Sequence, residues 1–223
     1  MLPIAAVVTD IEGATTPIAF VHKVLFPYAR ARLEQAIARP DAAGIAAEVA
    51  QMAPGAPVLD TLRRWMDEDA KVTPLKTLQG LIWADGYADG SLKGEVYPDV
   101  APTLRRWVRG GLRLYVYSSG SVSAQKQLFS RSVDGDLTGY FSGFFDTRVG
   151  AKREPESYDR ICIGIGVPTA EVLFLSDIEA ELDAAATAGL RTCQLVRAND
   201  GTVASERHLV AADFTEVAKL FAV

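Results

Sequence analysis

Ala5-Ala6-Val7-Val8-Thr9-Asp10-Ile11-Glu12-Gly13 decides how the rest of the 223-residue chain is read. The run through Val8 has no internal polarity, the pattern of a strand buried on both faces of a parallel sheet. It ends abruptly on Asp10, with a second carboxylate at Glu12 and a turn-permissive glycine at Gly13. In open α/β sheets, ligands bind beyond the carboxyl ends of the strands. Two acids at such an end suit a metal or a nucleophilic carboxylate. Asp close to Gly is also ordinary turn chemistry, so the remainder of the chain has to decide.

Working outward, Ala14-Thr15-Thr16-Pro17 reads as a loop. Phe20, Val24, Leu25, Tyr28 and Leu33 then recur at near-helical spacing. Pro27 is expected to kink that helix or mark its break. A second helix is expected over 41–52, capped by Asp41, a third over 58–69 and a fourth over 74–88. Asp85-Gly86 and Asp89-Gly90 are turn signals. The stretch from Phe20 to Ser91 therefore reads as an all-helical unit without a strand.

From Tyr97 the pattern changes. Helices are expected over 99–109, 121–129, 155–165, 179–188 and 214–221. Strands are expected over 112–117, within 140–145, over 172–175 and over 191–196. Alternation of this kind means βαβ units and a parallel sheet, to which the first strand belongs. The expected architecture is an α/β, doubly wound parallel sheet with an all-helical cap inserted after the first strand. Residues 1–18 and 96–223 would form the core, and residues 19–95 a cap over the carboxyl edge of the sheet.

Composition bounds the function. The chain is 49% hydrophobic and 23% charged, the profile of a globular protein with a real core. A net charge of -5 argues against a general nucleic-acid binder. It leaves room for an anionic substrate at a locally positive site. No segment approaches the ~18 apolar residues of a membrane span, and the N-terminal run is too short for a signal peptide. Cys162 and Cys193 lie far apart in apolar surroundings and read as buried free thiols. The expectation is a cytoplasmic protein without nucleic-acid or membrane partners. A monomer is expected, because no long amphipathic seam is left over.

Three expected strands end in polar groups, and a parallel sheet places those ends on one edge. The first supplies Asp10 and Glu12, the second Ser118 and Ser119, and a later one Asp177, followed by Glu179, Glu181 and Asp183. Lys152 lies in the loop Val149-Gly150-Ala151-Lys152-Arg153-Glu154. Singly, each has an ordinary reading. The serines can cap the next helix, Lys152 can be a solvated lysine, and acids after Asp177 favour a helix N-terminus. That last reading is adopted for Glu179, Glu181 and Asp183. His22 and His208 are assigned no role. Together the pattern is harder to dismiss. Carboxylates from two strands can hold Mg²⁺, a hard cation that prefers oxygen. A serine hydroxyl and the N–H groups before a helix can hold a phosphate. Asp10 can then attack phosphorus and form an aspartyl phosphate. Acids facing a phosphate require a divalent cation and a lysine to offset the repulsion.

The order Asp10-Ile11-Glu12-Gly13, Ser118-Ser119, Lys152 and Ser176-Asp177 resembles the four motifs of the haloacid dehalogenase superfamily of phosphatases, with the helical insertion resembling its cap. The resemblance narrows to the enolase-phosphatases of methionine salvage. It is carried by Thr15-Thr16-Pro17-Ile18, Val24-Leu25-Phe26-Pro27-Tyr28, Val96-Tyr97-Pro98-Asp99-Val100, Tyr117-Ser118-Ser119-Gly120-Ser121, Phe145-Asp146-Thr147, Ser157-Tyr158 and Phe174-Leu175-Ser176-Asp177. Most phosphatases of the superfamily have Asp where this chain has Glu12. Ala14 stands where a threonine is expected, with Thr15 beside it. The resemblance implies an enzyme with one Mg²⁺ per chain that converts 2,3-diketo-5-methylthiopentyl-1-phosphate to the acireductone 1,2-dihydroxy-3-keto-5-methylthiopentene plus phosphate. It implies Asp10 as nucleophile and metal ligand, Glu12 as metal-site acid and proton-transfer group, and Asp177 as the remaining metal ligand. Ser118, Ser119 and Lys152 would bind the substrate phosphate. Alternatives are a capped phosphatase acting on another small ester, a metal-independent dehalogenase, and a phospho-accepting signalling domain.

Overall fold

The structure, a computed structural model, describes residues 3–223. It comprises two compact units, one formed by the chain up to Ile18 together with Gly94–Val223, the other by Ala19–Lys93. The opening apolar run forms β1 (Ala6–Thr9), buried at every position.

The second unit is helical throughout. A single turn, α1 (Ile18–Phe20), runs through a π-helical stretch at Val21–Leu25 into α2 (Phe26–Ile37). Pro27 marks that junction as expected. It sits in the first turn of α2, directly after the π-helical stretch, where a residue without an N–H interrupts the hydrogen-bond ladder. The wide turn before it is closed by the Phe26 N–H donating to the Val21 carbonyl. There follow α3 (Ala43–Met52), α4 (Val58–Asp67) and α5 (Thr73–Asp89). Asp41 does not cap α3. A 3₁₀ turn at Pro40–Ala42 intervenes, and the Asp41 carboxylate accepts two hydrogen bonds from Arg39 instead. Asp85-Gly86 is not a turn but lies inside α5. A Cβ at Gly86 would stand 2.6 Å from the Tyr28 hydroxyl oxygen, so glycine there serves a close helix contact. Leu33, Val49, Leu62, Leu75, Leu78 and Ile82 form the core of this unit.

The first unit resumes with α6 (Val100–Arg109), β2 (Arg113–Tyr117), α7 (Val122–Ser130), β3 (Gly143–Phe145) and α8 (Pro155–Ile165). It continues through β4 (Val172–Ser176), α9 (Glu179–Thr187), β5 (Arg191–Leu195), β6 (Leu209–Ala211) and α10 (Phe214–Phe221). The strands form one sheet in the order β3-β2-β1-β4-β5-β6, every neighbouring pair parallel. This is the expected doubly wound α/β architecture. The edge strand β6 was not anticipated. It has three residues with Leu209 largely exposed, so no buried apolar run announces it.

Alternation along the strands divides the core. Ala6, Val8, Tyr115, Tyr117 and Phe174 face Tyr158 and Ile161 of α8 and Leu182 of α9. Elsewhere in the core Trp107 of α6 stacks on Phe214 of α10, with ring centroids 5.2 Å apart. The two cysteines are buried and unpaired with each other, as expected. Burial pushes the Cys162 thiol up to about 11 and the Cys193 thiol up to about 12. Among the described residues no helix is long and apolar enough to cross a membrane.

Candidate active site

Strand register assembles the site. Thr9 pairs with Val116 on one side and with Leu175 on the other. Asp10 is therefore level with Tyr117 and Ser176, one residue short of Ser118 and Asp177. The chain leaves β1 for β2 and later returns to β4 on the opposite side, so the strand order reverses between β1 and β4. That is the position at which open α/β sheets bind ligands, and Asp10 and Asp177 flank it.

Asp10 is buried, and its carboxylate is fixed from two directions. Oδ1 accepts the Ile11 N–H at 2.7 Å, and Oδ2 lies 2.7 Å from the Lys152 ammonium. The same ammonium lies 2.6 Å from Glu181 Oε2, which also accepts the Ser176 hydroxyl at 2.9 Å. Lys152 is thus no solvated surface lysine, being only 8% exposed. Burial disfavours its charge, but Asp10 and Glu181 together outweigh that and hold its pKa up. The carboxylates respond in the opposite sense. Burial, with the Asp10 charge added, raises Asp177 to about 7. Burial and Asp10 likewise raise Glu181, against the pull of Lys152. Lys152 contacts two carboxylates and a third, Asp177, feels the Asp10 charge, so the site carries excess negative charge that a cation would relieve.

Glu181 corrects the sequence reading, which placed it at a helix N-terminus for the dipole alone. It lies four residues after Asp177 and one turn into α9, a spacing that returns its side chain to the same sheet edge. Glu179 and Asp183 stay outside the cluster and pair with Arg207. Asp183 also contacts His208, whose other ring nitrogen meets the Thr192 hydroxyl. His22 is exposed, its ring edge-on to Phe26.

Of the remaining expected site residues, Ser118 is buried. Its N–H donates to the Phe145 carbonyl and its hydroxyl oxygen accepts the Gly120 N–H. Ser119 is exposed just before α7, whose N-cap is Ser121, accepting the Ala124 N–H. Glu12 is exposed, in a loop closed by a bridge to Thr16. Its carboxylate is therefore more accessible than those of Asp10 and Asp177.

The loop carrying these acids is tightly built. The Ile11 carbonyl accepts N–H groups from Ala14, Thr15 and Thr16. Gly13 has φ +67, and a Cβ there would fall 2.5 Å from Asp177 Cγ. Only glycine fits, because the turn backbone lies directly against the Asp177 carboxylate. Among the described residues no three His, Cys, Asp or Glu side chains are gathered as a metal site. Mg²⁺ needs no such cage, since it is commonly held by one or two carboxylates with water and substrate phosphate. Asp10 and Asp177, packed around a glycine backbone and short of positive charge, fit that ion.

Comparison with known proteins agrees with this geometry. Residues 4–189 match the model of the haloacid dehalogenase-like hydrolases. Enolase-phosphatase E1 of Granulibacter bethesdensis is 58% identical, over 99% of this chain and 98% of its own. Enolase-phosphatase E1 of Gluconacetobacter diazotrophicus is 54% identical, over 98% and 95%. The chain belongs to the haloacid dehalogenase-like hydrolases, among the enolase-phosphatases. Among solved structures, the UTR4 protein of Saccharomyces cerevisiae superposes with a TM-score of 0.79 at 34% identity, covering 95% of this chain and 98% of that one. Family membership makes the chain a hydrolase with a phosphatase site, and the alternative of a signalling domain falls away.

Proposed function

We propose that this chain is a bifunctional enolase-phosphatase of methionine salvage. It would enolise 2,3-diketo-5-methylthiopentyl-1-phosphate and hydrolyse the phosphate, releasing the acireductone 1,2-dihydroxy-3-keto-5-methylthiopentene. The observation that carries this reading is the Asp10 carboxylate. It is buried at the strand-order reversal, with one oxygen bound by its own loop and the other by Lys152. A carboxylate held in this way is oriented for attack on phosphorus. The relatives' names give the pair of activities.

In this reading Asp10 takes the phosphoryl group as an aspartyl phosphate, which water then hydrolyses. Lys152, Ser118 and Ser119 bind the phosphate oxygens, with the ammonium offsetting charge that develops in transfer. Asp10, Glu12 and Asp177 would hold Mg²⁺. When bound, that ion polarises carbonyl and phosphoryl oxygens as a Lewis acid. Glu12 is assigned the proton transfer of enolisation. Its side chain is one methylene longer than Asp and exposed, so it can reach out to a substrate carbon while Asp10 stays buried. Ala19–Lys93 is assigned as the cap.

The test is turnover of the diketo phosphate with Mg²⁺ and with excess chelator. Phosphate and a reducing acireductone should appear together with Mg²⁺, and neither with chelator. Phosphate without a reducing product would reduce the enzyme to a simple phosphatase. Asp10→Asn should lose phosphate release yet still admit solvent deuterium at the carbon bearing the phosphate. Glu12→Gln should slow that exchange sharply, and exchange at the wild-type rate would take the base role away from Glu12.

A further inference from the structure

Arg197 lies two residues beyond the end of β5, on the same sheet edge as Asp10. It is 5% exposed, and a buried guanidinium is costly unless its donors are satisfied. Here each of its three nitrogens has an acceptor. Nε and Nη2 donate to the Ala14 carbonyl at 3.2 and 2.5 Å. Nη1 lies 2.8 Å from Asp99 Oδ1 and 3.4 Å from the Ala212 carbonyl. The guanidinium also lies over the Tyr97 ring, 4.1 Å from its centroid. Asp99 in turn accepts the Phe214 N–H at 2.9 Å. The guanidinium is thus anchored where α6 and α10 begin, and its remaining fork is aimed at one loop carbonyl.

That carbonyl belongs to the turn that carries Asp10. The peptide bearing it also carries the Thr15 N–H, which donates to the Ile11 carbonyl at 2.9 Å beside the Ala14 N–H, and the Ile11 N–H holds Asp10 Oδ1. The next residue, Thr15, accepts the Tyr97 N–H at 3.0 Å. The segment leading into the helical unit is therefore tied to the segment returning from it, beside Arg197. The turn is thus closed on Ile11, the residue whose N–H sets the Asp10 carboxylate. We infer that Arg197 is a positioning residue for Asp10: through the Ala14 carbonyl it fixes the turn that aims the carboxylate. A lysine could still pair with Asp99 but lacks the planar fork that reaches Ala14 at the same time.

The inference rests on the proposed phosphatase role of Asp10, so wild-type turnover of the diketo phosphate is measured first. An inactive wild type would break that reading, whereas amide hydrogen exchange tests Arg197 without activity. In Arg197→Lys, kcat should fall at least about tenfold with KM changed less than about twofold, since phosphate contacts are untouched. Amides of residues 11–16 should exchange at least about tenfold faster, with those of β4 unchanged. In Arg197→Ala, millimolar methylguanidinium should restore part of the lost kcat. If the alanine variant does not fold, the lysine variant decides. The inference is overturned if Arg197→Lys keeps kcat within twofold. A rise in KM parallel to the loss, or loss of protection across the whole sheet, would overturn it too, the latter making Arg197 a purely structural residue.

Discussion

Each unit contains a cation shared by two carboxylates, and they behave differently. In the helical unit Arg39 lies between Asp41 and Asp85, with Arg39 34% exposed and the two acids 53% and 58%. In the sheet unit Lys152 lies between Asp10 and Glu181, at 8%, 9% and 11%. The charges are the same in number and sign. At the exposed site, hydrogen bonds from Arg39 lower the Asp41 pKa, as expected for a hydrated ion pair. At the buried site, desolvation raises Glu181 even though a lysine touches it. Exposed pairs are screened and contribute little, whereas removing one partner of a buried pair leaves a charge uncompensated. Only the second arrangement holds a poorly solvated carboxylate against a cation, which suits a nucleophile.

The largest effect that tests this contrast is expected at Lys152. Lys152→Met fills the same space without charge and leaves Asp10 and Glu181 facing each other. On the order of 10²-fold or more in kcat/KM should be lost. Stability should fall by roughly 3–5 kcal/mol, the scale for breaking a buried pair. Steady-state kinetics and denaturant melts measure both. A loss below about threefold would return Lys152 to the class of Arg39.

Glu181→Gln should give a smaller effect. Lys152 keeps its contact with Asp10, and the amide keeps an oxygen for the Ser176 hydroxyl. A fall in kcat of about tenfold is expected, because Lys152 would then be oriented by one charge instead of two. Thermal stability should be unchanged or slightly higher, since a desolvated charge is removed. A kinetic loss equal to that of Lys152→Met would mean that the two act as a single unit.

The sheet edge on which the buried cluster sits is legible in the chain, for a physical reason. Strands buried on both faces are apolar runs, so β1, β2 and β4 stand out. Where such runs end in Asp10, Ser118 and Asp177, the sheet edge collects them. Glu181 and Arg197 escape the pattern because they act from the next turn or from past a strand that ends at Leu195. At those places polarity looks like ordinary helix-start or loop chemistry. Asp41 misled for the same reason. An acid before a helix suggests a cap, but Arg39 two residues earlier offers it a stronger partner than a backbone N–H. β6 left no signal, being short and at the edge. The sequence pattern thus locates groups on elements, while their pairing depends on which side chains fold back across a turn.

The smallest effect should come from Arg39→Ala, and its smallness is informative. The arginine touches Asp41 and Asp85, 46 residues from it in sequence, and so looks like a clasp across the helical unit. All three groups stay hydrated, however, so the attraction gained on folding largely replaces attraction to water. The melting temperature should drop by about 2 °C or less. The difference from wild type should shrink further in ~1 M salt, where the Debye length is about 3 Å. kcat should not change, because the cluster that holds Asp10 lies in the other unit. Parallel melts at low and high salt measure this. A large, salt-insensitive drop would mean that Arg39 acts through its packed stem and not its charge. Exposure would then no longer be what separates the two clusters.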